Sequence, residues 1–239
     1  MYENDISNGL GKLTFANGCI YEGNFVNGRR HGHGKFSYKD GTIYEGMFEN
    51  DQNHGQGKLT FADGAIHEGM FKDGRRLGQG KLTYLDGRIY EGIFQNDKML
   101  GQGRLTLAHG AIYEGDFKDE MKYGQGKLTL ANGAIYEGNF QNDKKHGYGK
   151  LTYADGVIYE GKFKDGKMHG QGKLTYLDGR IYVGKFKNDK KHGRGKIIYT
   201  DGKVDRPIAD QSKFQNVRIY MAYLMVGIVV YLCSRWNIF

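Results

Sequence analysis

"YEGNFVNGRRHGHGKFSYKDGTI", residues 21–43, is followed at once by "YEGMFENDQNHGQGKLTFADGAI", residues 44–66, and the same 23-residue sentence continues to Val204. Its copies begin at Tyr21, Tyr44, His67, Tyr90, Tyr113, Tyr136, Tyr159 and Tyr182, with no insertion or deletion between them. Residues 1–20 fit the frame as a truncated copy, Tyr2 falling in the register of Phe25. A fixed period of this length means that each unit is one supersecondary element, which buries its apolar surface only against its neighbours. A second period overlies the first: "ND" recurs at Asn50-Asp51, Asn96-Asp97, Asn142-Asp143 and Asn188-Asp189, in every other unit, so duplication of a pair is the simplest history.

Within a unit the apolar residues alternate, which is the pattern of strands rather than helices. In Tyr136 to Ile158, "YEGNF" places Tyr136, Gly138 and Phe140 on one face and Glu137 and Asn139 on the other. "GYGKLTY" places Gly147, Gly149, Leu151 and Tyr153 together. "QNDKKH" reads as a polar hairpin connection and "ADG" as the tight turn into the next unit. Glycine at the third, twelfth and fourteenth places shares a face with the rings, leaving floors on which large side chains lie flat. That ring-bearing face is the predicted core, and strands about 4.8 Å apart give a rise of roughly 10 Å per unit.

"YEGxF", "GxGKLTY" and "DG" at a strict 23-residue spacing resemble the MORN repeat family from Tyr2 to about Val204. The resemblance implies an all-β, elongated, single-layer antiparallel solenoid of hairpin repeats with a shallow groove along one face. The sequence departs from the pattern at His67, Val183, Leu107 and Leu130. The expected organisation is a partial repeat over 1–20, eight repeats over 21–204, a linker over 205–216 and a C-terminal anchor over 217–239.

The anchor rests on Ile219 to Cys233, which is uncharged and apolar on every side of a helix. A membrane-spanning α-helix follows, with Arg218, Arg235 and Trp236 at the interfaces. The N-terminus, "MYENDISNGL", lacks the basic and apolar stretches of a signal peptide, so the repeats are expected in the cytosol, with the tail in the endoplasmic reticulum or another endomembrane. Cys19 and Cys233 form no plausible pair, in keeping with a reducing compartment. Repeats followed by such an anchor are similar to the junctophilin arrangement, without that family's long connecting helix.

Nothing in the repeats reads as catalytic, metal-binding or cofactor-binding. His31, His54, His146, His169 and His192 occupy one place at steps of about 10 Å, too far apart to share a zinc ion. No "GK[ST]" accompanies the "GxG" pairs, so no phosphate loop is present. One basic residue stands at the fifteenth place of every unit and a glutamate at the second place of the first seven, a ladder of alternating charge on one face. With that ordered row of glutamates, nucleic acid is excluded as a partner despite an isoelectric point near 9.2.

Two binding readings remain. In the first, the protein is a non-catalytic, tail-anchored scaffold whose ring-bearing groove, centred on Phe94, Tyr113, Phe117, Tyr136 and Phe140, takes a helix or peptide of a cytosolic protein. In the second it is a membrane-contact tether, whose basic hairpin edge, Arg29, Arg30, Arg75, Arg76, Lys144, Lys145, Lys190 and Lys191, meets anionic phospholipid in trans. Homo-oligomers through the repeats are implied by the family resemblance alone.

Overall fold

The computed structural model describes residues 8–206 in full, with the backbone of 2–3, 6–7 and 208–209. The linker beyond 209 and the anchor expected over 217–239 lie outside the described residues. Among those described, no helix is long and apolar enough to cross a membrane.

Each unit is one hairpin. Its first strand spans the closing isoleucine of the previous unit and the "YEGxFx" stretch, as in Ile89–Gln95 and Ile135–Gln141. Its second strand covers nine residues, as in Lys98–Thr106 and Lys144–Thr152. From Gly9–Thr14 to Lys190–Ile198 the strands pair antiparallel, each with its neighbours in sequence. Among the described residues no register pair joins the first of these strands to the last, so the sheet is open. The outer edge of Lys190–Ile198 is covered by Val204–Asp205 and Ile208–Ala209.

The hairpin connection is shorter than the sequence suggested. Only two residues, such as Asn142 and Asp143 with φ of 49° and 64°, separate the strands, and "KKH" already belongs to the second strand. Two successive positive φ values are the turn whose twist matches that of the flanking strands, which is why Asn, Asp and Gly fill these places in every full unit but the fifth, where Glu120 takes a φ of 66°. The twelfth-place glycines also differ from expectation. Gly55, Gly101 and Gly147 adopt φ of 58°, 67° and 63°, beside the position where the register slips. They serve a bulge rather than a floor.

The floors are the third and fourteenth places. These glycines face each other across the hairpin, as Gly138 does Gly149, and a Cβ on Gly149 would lie 2.5 Å from the Tyr136 ring. Each first-place tyrosine from Tyr21 to Tyr159 lies over its glycine pair and meets two phenylalanines edge-on, its own and the next unit's. Tyr136 contacts Phe140 at 5.1 Å and Phe163 at 4.9 Å, with interplanar angles of 87° and 79°. The same contacts recur from Tyr21 to Tyr159, giving one herringbone of rings along the array.

The alternation of units has a structural cause. In the "ND" units the turn aspartate reaches back one unit and accepts a backbone N–H: Asp51 from Arg30, Asp97 from Arg76, Asp143 from Lys122 and Asp189 from Met168, at 2.9–3.0 Å. Where the pair is "NG" or "DG", the turn glycine has no side chain to do this. Asp97→Ala is therefore expected to cost about 1.5–3 kcal/mol, the range for a hydrogen bond to a charged group. Lys98→Ala beside it, which loses an exposed ion pair, should cost less than about 1 kcal/mol. Urea unfolding of the two variants checks the difference.

Candidate binding faces

The two faces of the sheet are chemically opposite, and the rings do not form an open groove. Phe94, Tyr113, Phe117, Tyr136 and Phe140 are buried, none more than 3% exposed. Each tyrosine hydroxyl from Tyr21 to Tyr159 donates to the carbonyl three residues on, as Tyr113 does to Asp116 and Tyr136 to Asn139, both at 2.9 Å. Burial pushes the Tyr44 and Tyr90 hydroxyls up to about 12, and Tyr113 and Tyr136 are likewise raised. The expected accessibility of these rings is corrected because two rows of side chains flank them: the partly buried eighteenth-place residues, such as Tyr153, and the tenth-place residues.

That tenth place takes half of the predicted basic edge. In register it faces the fifth-place phenylalanine, so Arg30, Arg76, Lys145 and Lys191 turn onto the aromatic face. The Arg30 guanidinium lies 4.6 Å from the Phe36 ring centre and 3.2 Å from Asp51; Arg76 lies 5.1 Å from Phe94 and 3.2 Å from Asp97. Lys145 sits 5.4 Å from both Tyr136 and Phe163, and Lys191 4.5 Å from Tyr182. Burial lowers the Lys122, Lys145 and Lys191 amines below their usual range. The other half of the set, Arg29, Arg75, Lys144 and Lys190, is exposed.

His67 occupies the tyrosine place of its unit and is fully buried between Phe71 and Phe94, at 5.4 and 4.6 Å. Neither ring nitrogen has a hydrogen bond. Burial first, then the Arg76 charge, hold its pKa down to about 4, with Asp97 opposing.

The polar face carries the charge ladder. Cross-strand pairs such as Lys12–Glu22, Lys35–Glu45 and Lys173–Glu160 lie at 2.6–3.2 Å, all half exposed. Next to this ladder runs an open trough of about 1490 Å³, floored by glycines and bordered by residues such as Gln56, Lys58, Gln79 and Glu91. The repeat equalises most places on this face but leaves the fourth, eleventh and thirteenth free to vary. Met47, Met70 and Ile93 stand at the fourth place, and Leu77 and Leu100 at the eleventh, where most other units carry histidine. Met70, Leu77, Ile93 and Leu100 are 37–39% exposed. Toward the other end, Lys162, Lys185 and Arg194 hold these places, and Val183 stands across from both Lys173 and Lys196 where a glutamate would be. Among the described residues no group of three His, Cys, Asp or Glu side chains could hold a metal ion.

Comparison with known proteins identifies the class. The MORN repeat family matches over residues 1–20, 21–43, 44–66, 67–87, 90–111, 113–135, 136–158, 159–179 and 182–204, and the chain belongs to that family. No curated protein sequence matches it. Among solved structures it is similar to the TCP10 domain of Danio rerio CPAP in complex with a peptide of Danio rerio STIL, at 13% identity and a TM-score of 0.52, covering 82% of this chain and 87% of that one. The wild-type TCP10 domain of Danio rerio CPAP matches at 13% identity and a TM-score of 0.49, covering 83% and 94%.

Proposed function

We propose that the chain is a non-catalytic scaffold that binds a segment of a protein partner on the polar face of its repeat array. The open trough carries this reading: it runs from Leu10 to Gly92 with nothing over it among the described residues, whereas the aromatic face is filled by its own side chains. A domain with a similar sheet has been solved in complex with a peptide, which supports a protein segment as the partner. The apolar run 219–233, if it spans a membrane as its composition suggests, would gather the partner at an endomembrane with the repeats in the cytosol.

The tether reading keeps one supporting observation. The ninth place is basic in six of the eight full units, and Arg29, Arg75, Lys144 and Lys190 stand exposed there along one edge. Photo-crosslinking in cells separates the two, with a benzophenone amino acid placed in the full-length chain at Gln79, in the trough, or at Arg75, on the edge. A protein adduct from Gln79 is expected. Lipid adducts from Arg75 with no protein adduct from Gln79 would overturn the scaffold in favour of the tether.

A further inference from the structure

Along the polar face the chemistry changes in a definite order. In the third and fourth units, Met70 with Leu77 and Ile93 with Leu100 give two exposed apolar side chains per unit. The fourth and eleventh places lie across the hairpin from each other, as the pairing of Met47 with His54 and of Lys185 with His192 shows. The trough, which ends at Gly92, lies beside this apolar end of the track, since Gln56 pairs with Met70 and Gln79 with Ile93. In the seventh and eighth units the same track becomes Lys162, Lys185 and Arg194, and Lys196 faces Val183 instead of a carboxylate.

The spacing of this track suits one kind of occupant. Successive units are two strands apart, about 10 Å. Residues seven apart in an α-helix are about 10.5 Å apart on nearly the same side. A heptad stripe also presents two apolar residues per repeat, matching the two that each unit offers. A β-extended segment fails, because residues three apart, the interval that spans about 10 Å, point to opposite sides. A polyproline helix has a suitable rise, about 9.3 Å per turn, but presents one residue per turn rather than two.

Resting on the scaffold reading above, we propose that the partner segment is an amphipathic α-helix laid along the polar face, with paired apolar residues at heptad spacing over Met70, Leu77, Ile93 and Leu100 and acidic residues over Lys185, Arg194 and Lys196. The third to the eighth are six units spanning about 50 Å between the first and the last, so at one heptad per unit the helix has roughly six heptads. Its register is set by the apolar end and its direction by the basic end.

The test uses the full-length chain and fluorescent 42-residue model helices. Each carries leucine pairs in three successive heptads and glutamate pairs at the same heptad positions in the other three, made in both end-to-end orders. Two controls accompany them: the same composition with leucines at five-residue intervals, and a polyproline peptide with leucine every third residue. Anisotropy should show one heptad order binding at least tenfold more tightly than either control. Ile93→Ser with Leu100→Ser, and separately Lys185→Glu with Arg194→Glu, should each weaken it at least tenfold, the second effect shrinking as salt is raised. All four positions are exposed, and circular dichroism of each variant confirms that the sheet is intact. Equal binding by the redistributed helix, or preferential binding of the polyproline peptide, overturns the helix. A protein adduct from Gln79 that survives both double substitutions would leave the scaffold standing and remove this inference alone.

Discussion

Tyr136→Ala is expected to lower the stability of the array by about 3–5 kcal/mol, the cost of deleting a buried aromatic side chain. Tyr148→Ala, twelve residues away in the same unit, should cost less than about 0.5 kcal/mol. The two tyrosines lie on opposite faces of the sheet. Tyr136 is 1% exposed, lies on Gly138 and Gly149 and closes the ring contacts between Phe140 and Phe163; Tyr148 is 62% exposed and only approaches Lys162. Alanine cannot refill the space, because the glycines beneath it have no side chains to relax into the gap. Since strands touch only their neighbours, the damage should stay local. Hydrogen exchange should therefore speed up in the fifth to seventh units and stay slow in the first and second. Equal destabilisation by the two alanines in urea unfolding, or uniform loss of protection along the chain, would show that the herringbone does not hold the array together.

His67→Tyr should raise stability, and by an amount that grows as the solution is acidified. Folded, the imidazole has its pKa held near 4 with no hydrogen bond to either nitrogen. Unfolded, it returns to about 6.5. Between these values the unfolded chain binds the extra proton, so wild-type stability is fully present above about pH 6.5 and falls as the pH drops toward 4. The slope is about 1.4 kcal/mol per unit, and the total loss roughly 3 kcal/mol. Tyrosine does not titrate in this range. On Gly69 and Gly80 it has the same floor as its counterparts, and its hydroxyl would reach the Met70 carbonyl as Tyr44 reaches that of Met47 at 2.9 Å. That added bond gives about 1 kcal/mol even at neutral pH. Urea titrations at pH 7.5 and 5.0 measure both quantities. If the two proteins lose stability in parallel on acidification, His67 is not the residue that titrates.

The strands, the hairpin order and the identity of the core were legible because the repeat restates them. Tyr, Gly and Phe at the first, third and fifth places recur so regularly that their face could only be the buried one. The same regularity conceals where a particular ligand would bind. Phe94, Tyr113, Phe117, Tyr136 and Phe140 recur because every unit needs them for packing, and a residue needed in every unit marks no particular place. The residues that differ from unit to unit, Met70, Leu77, Ile93 and Leu100 at one end and Val183, Lys185 and Arg194 at the other, are the ones on which the proposed helix site rests. Their departure from the pattern was the available signal.

The basic hairpins show where local sequence stops being sufficient. Arg29 and Arg30 are adjacent and chemically identical, yet one is exposed and the other packs on Phe36 and binds Asp51. Alternation assigns them to opposite faces only once the start of the second strand is known, and that start depends on a two-residue turn. Asp51 itself lies 21 residues along the chain from Arg30 and meets it only because the next hairpin stacks in register. By itself the sequence determined the period, the strands and which face is apolar, since these follow from alternation and glycine placement within a few residues. The tertiary structure decided that the rings are sealed, that half the cations turn inward, and that the open trough lies on the charged face. Each of those outcomes depends on how one hairpin covers the next.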